Sequence, residues 1–299
     1  MLTMQPVILR GRTQLAFGPQ EFAQRVAALQ QELAALGLDA AVAFGDARNY
    51  APLTWVTGLV PMLKWAVVVT PAVGETELYL AMPGVRDLPR MNKLAVAGSI
   101  APIGALPAAL ARFDRVALAG GHAMRAASES MIRPATATVD GDSLFAKLMA
   151  APSEREREVL RLAATTAEAS ATATLDAWAR GETASEALLC GDLSARRAGM
   201  HDVRVLFSLD GGLTLRPLAP GATVSGRPLV FYIAVETGGY WGEALRSTGG
   251  GQMPQALAPL ARLGLSVEEL RAGRMTPGFY SHRELDDTGT PGSRIEELR

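Results

Sequence analysis

Ser153 is followed three residues later by Glu156, and Thr183 three residues later by Glu186. Each pair forms a capping box, in which a hydroxyl and a carboxylate satisfy the free N–H groups of a helix start. The first opens a long helix in "SEREREVLRLAATTAEASATATLDAWAR", the second a shorter one in "TASEALLCGDLSARRAG" that ends near Gly199. After Met200 only strand-like runs follow: "VRVLFSL", "PLVFYIAVE" and "GYWGEALRST". Helices followed by strands specify an α+β domain. In the long helix, Val159, Leu162, Thr166, Ala169, Ala173 and Trp178 are expected to form a modest apolar stripe. The abundance of alanine predicts close packing of helix on sheet rather than a large apolar face.

Upstream the pattern is different. Phe22, Val26, Leu29, Leu33 and Leu36 recur at helical spacing, with Pro19 at the start and Gly37 at the end. Short apolar runs at 40–44, 65–70, 76–82 and 116–120 are bounded by turn residues and read as strands, and "GDSLFAKLMA" reads as a short helix. This is an α/β domain. A chain of 299 residues suits two domains, here 1–150 and 151–299.

Composition excludes several classes. The formal net charge is -1, so no long-range field recruits nucleic acid or an anionic membrane. No apolar stretch approaches membrane-spanning length, and no cleavable apolar region follows "MLTMQPVILRGRT", so the expectation is a cytoplasmic protein. The single cysteine, Cys190, cannot form an intrachain disulfide and is expected as a small apolar residue of its helix. The glycine-containing stretches "AGGH", "DGG" and "GTPGS" lack the spacing of a phosphate cradle.

The order of these motifs resembles the creatinase and Xaa-Pro dipeptidase family. "RVAALQQELAALGLDAAVAF" is similar to its N-terminal domain, and "PSEREREVLRLAATTAEAS" with "GETASEAL" to the helices that open its pita-bread domain. "LVFYIAVETGGYWGEALRST" resembles the hairpin that supplies two aspartates to a metal pair, and "RMTPGFYSH" through "GSRIEE" the segment that supplies two glutamates. The resemblance implies an α/β creatinase-like N-terminal domain, a shortened pita-bread C-terminal domain and a homodimer. It also exposes departures. Tyr232 stands at the first aspartate and Glu243 at the second; Thr276 replaces the first glutamate and Glu296 matches the second. The histidine-bearing segment between hairpin and C-terminal motifs is missing. Two carboxylates at five ligand positions do not neutralise two divalent cations, so neither a metal nor another cofactor is expected.

The remaining candidates are Tyr232, Glu243, Glu296 and His282 as catalytic groups. Thr276, Arg246, Arg294, His201 and Trp55 are candidates for substrate contact, the last across a dimer. Strand alternation turns Tyr232, Ala234 and Glu236 the same way. His122, in the N-terminal domain, is set aside. Three readings stay open. The first is a metal-independent enzyme on a small amide- or amino-acid-like molecule. The second is a non-catalytic binding or scaffold protein, and the third a metal-dependent aminopeptidase or dipeptidase with unusual ligands.

Overall fold

The computed structural model describes residues 16–61, 64–81, 95–124, 126–133, 135–208, 216–217 and 229–248. The chain divides into two compact units, Met1–Ala151 and Pro152–Arg299.

In the first unit, helix α1 (Pro19–Leu36) ends because Gly37 takes the left-handed conformation, φ 63°. The next N–H groups then bond back to Leu33 and Ala34. Phe22, Leu29 and Leu33 are buried as the spacing predicts, but Leu36 is exposed and Arg25 is buried in its stead. Arg25 is tolerated there because Glu21, one turn earlier, accepts from it at 3.2 Å and the Trp55 carbonyl accepts at 3.0 Å. Its guanidinium also faces the rings of Phe17, Phe22 and Trp55.

Strands β1 (Ala40–Gly45), β2 (Ala66–Pro71), β3 (Glu77–Leu80), β4 (Ser99–Pro102), β5 (Arg115–Ala119) and β6 (Ala137–Asp140) form one mixed sheet in the order β4-β3-β2-β1-β5-β6. β1 runs antiparallel to β2 and parallel to β5. Both β1 and β2 are buried along their whole length, the reason they read as unbroken apolar runs. The edge strands β4 and β6 are short and half-exposed, with neither an apolar run nor a clean alternation to announce them. Helices α2 (Ala51–Thr57), α3 (Leu106–Leu110), α4 (Ala126–Ile132) and α5 (Asp142–Met149), with 3-10 turns at Ile103–Ala105 and Gly121–Ala123, complete this unit's described elements.

The second unit begins with the long helix α6 (Glu154–Ala179), followed by α7 (Ala184–Arg197). Both predicted capping boxes are present. Strands β7 (Asp202–Ser208), β8 (Arg216–Pro217), β9 (Val230–Thr237) and β10 (Tyr240–Ser247) pair antiparallel in the order β10-β9-β7-β8. The helices cover one face of this sheet. Its core joins Ala163, Ala167, Ala171 and Leu188 to Val203, Phe207, Phe231, Ile233, Val235 and Ala244.

The buried stripe of α6 matches the expected one only in part: Thr166 is buried and Trp178 packs against the core, but Ala169 is exposed. Leu160, Ala163, Ala164, Ala167, Ala171, Thr174 and Ala177 face inward, whereas Leu162 is exposed. Small residues face the sheet because the backbones nearly touch. A Cβ added to Gly242 would lie 2.2 Å from the Ala163 carbonyl carbon, and between the two helices one added to Gly191 would lie 2.2 Å from Thr174 Oγ1. Large side chains have no room in that seam. The helix start is fastened to the same strand, since Tyr240 donates its hydroxyl to Glu156 Oε1 at 2.6 Å. The other oxygen of Glu156 accepts from the Ser153 N–H at 2.8 Å. Among the described residues no helix is long and apolar enough to cross a membrane.

Candidate functional site

The hairpin turns on Gly238 and Gly239, both with positive φ, as a tight two-residue turn requires. Alternation then assigns each residue of β9 and β10 to a face. Phe231, Ile233 and Val235 meet the helices, so Tyr232, Ala234 and Glu236 lie on the other face. Register places Leu245, Glu243 and Trp241 of β10 opposite those three, and Leu206, Arg204 and Asp202 of β7 on their other side. The face away from the helices therefore carries a row of Arg204, Ala234 and Glu243, flanked by a row of Asp202, Glu236 and Trp241.

Tyr232 is buried and donates its hydroxyl to Glu243, its diagonal neighbour across the hairpin. Burial first, then the charge and hydrogen bond of Glu243, push the phenol well above its ordinary range; Arg204 opposes this weakly. Tyr232 is thus held as a neutral donor. Arg204 donates from Nε to Asp202 Oδ2 at 3.1 Å, and its guanidinium lies 4.3 Å from the centre of the Trp241 ring. Glu236 accepts from the Gly239 N–H, so its carboxylate closes the turn. His201 sits at the entry to β7, where its N–H bonds to the Glu236 carbonyl at 2.8 Å. Its Nδ1 accepts from the Gly238 N–H at 3.4 Å and lies 3.9 Å from Glu236 Oε2.

The structure brings together only some of the residues expected from sequence. Tyr232 and Glu243 meet, and His201 joins the same face at its turn end through Glu236. Arg246 does not share that face. Its partner in register is the inward-facing Phe231, and its guanidinium pairs with Glu168 on α6. Trp55 lies in the first unit, buried, with its ring edge-on to Phe145 at 6.2 Å and its carbonyl taken by Arg25. Thr276, His282, Arg294 and Glu296 lie outside the described residues. His122, also in the first unit, sits 3.2 Å from Asp142. Cys190 is half-buried, and burial together with Glu182 raises its thiol pKa, the opposite of what a nucleophile needs. Arg204, Asp202 and Trp241 are the residues sequence reasoning missed. The alternation of "DVRVLF" sets Asp202 and Arg204 on one face, but only the strand pairing shows that this face is Tyr232's.

No family model and no curated protein matches the sequence. Solved structures do match in three dimensions. A prolidase from Pyrococcus horikoshii OT3 superposes with a TM-score of 0.60 at 11% identity, covering 75% of this chain and 64% of that one. Aminopeptidase P from E. coli gives 0.57 at 17% identity, covering 77% and 62%. A Xaa-Pro dipeptidase from Bacillus anthracis gives 0.58 at 16% identity, covering 80% and 68%. The chain has the pita-bread fold. It spans less than two thirds of the length of the Pyrococcus horikoshii and E. coli chains.

The metal pair implied by the hairpin resemblance finds a poor donor set here. The first position holds a phenol that stays protonated, and that phenol already occupies the carboxylate at the second. Among the described residues no three His, Cys, Asp or Glu side chains gather closely enough to hold a metal ion. The described residues do not fit a binuclear centre.

Proposed function

We propose that the second unit is a metal-free variant of the pita-bread site that binds a small amide- or amino-acid-like molecule and acts on it. The observation that carries this reading is the Tyr232–Glu243 hydrogen bond, set where the resemblance expects two metal-binding carboxylates. With the one phenol proton committed to Glu243, the pair presents acceptor oxygens suited to an amide N–H, and Arg204 is the donor on the same face for an amide carbonyl. Arg204 and the Trp241 ring extend the same face, so polar recognition and a stacking surface lie together.

A second reading is binding without turnover. It is favoured by the raised pKa of Tyr232, which keeps the phenol a donor and leaves it poorly suited to take a proton near neutral pH.

Elemental analysis of the purified protein, after exposure to manganese, cobalt and zinc, tests the shared premise. We expect less than a tenth of an equivalent of each metal per chain and an unchanged melting temperature after chelation. Two tightly held equivalents would overturn both readings and restore a metallopeptidase. Turnover of a small amide by the metal-free protein, lost in Tyr232→Phe, then separates enzyme from binder.

A further inference from the structure

We infer that the outer face of α6 and α7 docks a second copy of this chain, with the two copies of α7 antiparallel about a twofold axis near the level of Gly191. This surface lies on the opposite side of the sheet from Tyr232 and is separate from the ligand face proposed above.

Among the described residues five large apolar side chains are exposed, and three of them, Leu162, Leu189 and Leu193, stand on these two helices. A single exposed leucine is ordinary, whereas a group of them on neighbouring helices, in a patch free of charge, marks a contact surface. On α6 the outward residues run Glu158, Leu162, Thr165, Ala169, Thr172 and Asp176, spaced three or four apart. Only the two ends of that stripe are charged. On α7 the outward stripe is Glu186, Leu189, Leu193 and Arg197, again spaced three or four apart and again charged only at its ends. Arg196, on the flank, is held by Asp192 at 2.7 Å. An uncharged centre within a charged rim is the anatomy of a protein interface. The two stripes together span a face about 20 Å wide and up to about 27 Å long, near the roughly 600 Å² per partner at which stable interfaces begin.

The order of charges selects the occupant. The α7 stripe runs from acidic Glu186 to basic Arg197, so it complements its own reversed copy. In a twofold arrangement each contact occurs twice. Antiparallel helices centred near Gly191 bring Leu189 of each copy against Leu193 of the other, and Glu186 of each against Arg197 of the other. A parallel arrangement would set glutamate on glutamate and arginine on arginine, and like charges repel. Both end charges are available. Glu186 accepts from the Thr183 N–H and hydroxyl through Oε2 alone. Arg197 forms no hydrogen bond or ion pair among the described residues.

The test is sedimentation equilibrium of the full-length protein from about 1 to about 100 µM, with circular dichroism to confirm folding. We expect a dimer with a dissociation constant in the micromolar range or tighter. Leu189→Gln combined with Leu193→Gln should weaken association by at least about tenfold and leave the spectrum unchanged, since both side chains face solvent in the single chain. Leu162→Gln on α6 serves where that double variant does not fold. Arg197→Glu should also weaken association by about tenfold, because two attractive contacts become repulsive. Glu186→Lys added to the same chain should recover most of that loss, a recovery that a merely structural role of Arg197 does not produce. Glu186→Gln, which keeps the capping box, should weaken association severalfold and serves where the lysine variant does not fold. A monomer at every concentration, or a dimer indifferent to the leucine variants, would overturn the inference. A dimer that the leucine variants weaken but Arg197→Glu leaves unmoved overturns the antiparallel pairing of α7.

Discussion

Tyr232 and Glu243 are diagonal neighbours, the phenol buried and the carboxylate half-buried, and their hydrogen bond is where a single atom has the most leverage. Tyr232→Phe deletes one oxygen and leaves the Glu243 carboxylate one donor short on a largely buried face. We expect a loss of about 1–2 kcal/mol in urea unfolding. Glu243→Gln, which still accepts a hydrogen bond, should lose less, and the two together less than their sum. Both residues were legible in the sequence because the hairpin fixes their spacing. Arg246 was also placed near them, yet Glu243 and Arg246 are an odd number of positions apart on one strand and so face opposite ways. That parity was readable; proximity in sequence obscured it. Arg204 was not readable as a partner, because antiparallel register between β7 and β9 depends on residues distant in the chain.

The long helix shows how an element is set by the room its neighbour leaves. Its boundaries were plain from Ser153 and Glu156, since capping is local chemistry. Its alanine content announced a close seam, but which positions face that seam was legible only in part, because the strand beneath, and not the helix's own pattern, selects them. Gly242 is the reason: its missing side chain admits the backbone of Ala163 and Ala164. Gly242→Ala should therefore cost about 3 kcal/mol, at the upper end for overpacking since backbone must move. The check is the urea midpoint, with far-ultraviolet circular dichroism to confirm that the helices persist. The edge strands β4 and β6 escaped the sequence reading for a similar reason: pairing with a neighbour, rather than their own pattern, makes them strands.

At the scale of the whole chain, each unit ties a tyrosine hydroxyl to a glutamate. Tyr79 donates to Glu77 in the first, Tyr232 to Glu243 in the second. Burial, then the partner carboxylate, raises both phenols above their usual range. In the unfolded chain a tyrosine ionises near pH 10, while in the folded chain both keep their protons beyond it. The folded state thus binds more protons above that pH, and stability falls as pH rises. Below it these two groups contribute their full effect. Urea midpoints measured from pH 8 to pH 11 should decline above about 10, and Tyr79→Phe and Tyr232→Phe should each make the decline shallower. The two-unit organisation and the order of elements were legible from caps, turns and apolar runs. The chemistry of the polar face was legible only in part, because it joins three strands. Strand β10 carries one last consequence. Tyr240, Gly242 and Ala244 are committed to the helix side, whereas Trp241, Glu243 and Leu245 are not. A change at Gly242 or Ala244 is therefore felt in the seam with the helices, whereas a change at Glu243 alters the opposite face and leaves that seam alone.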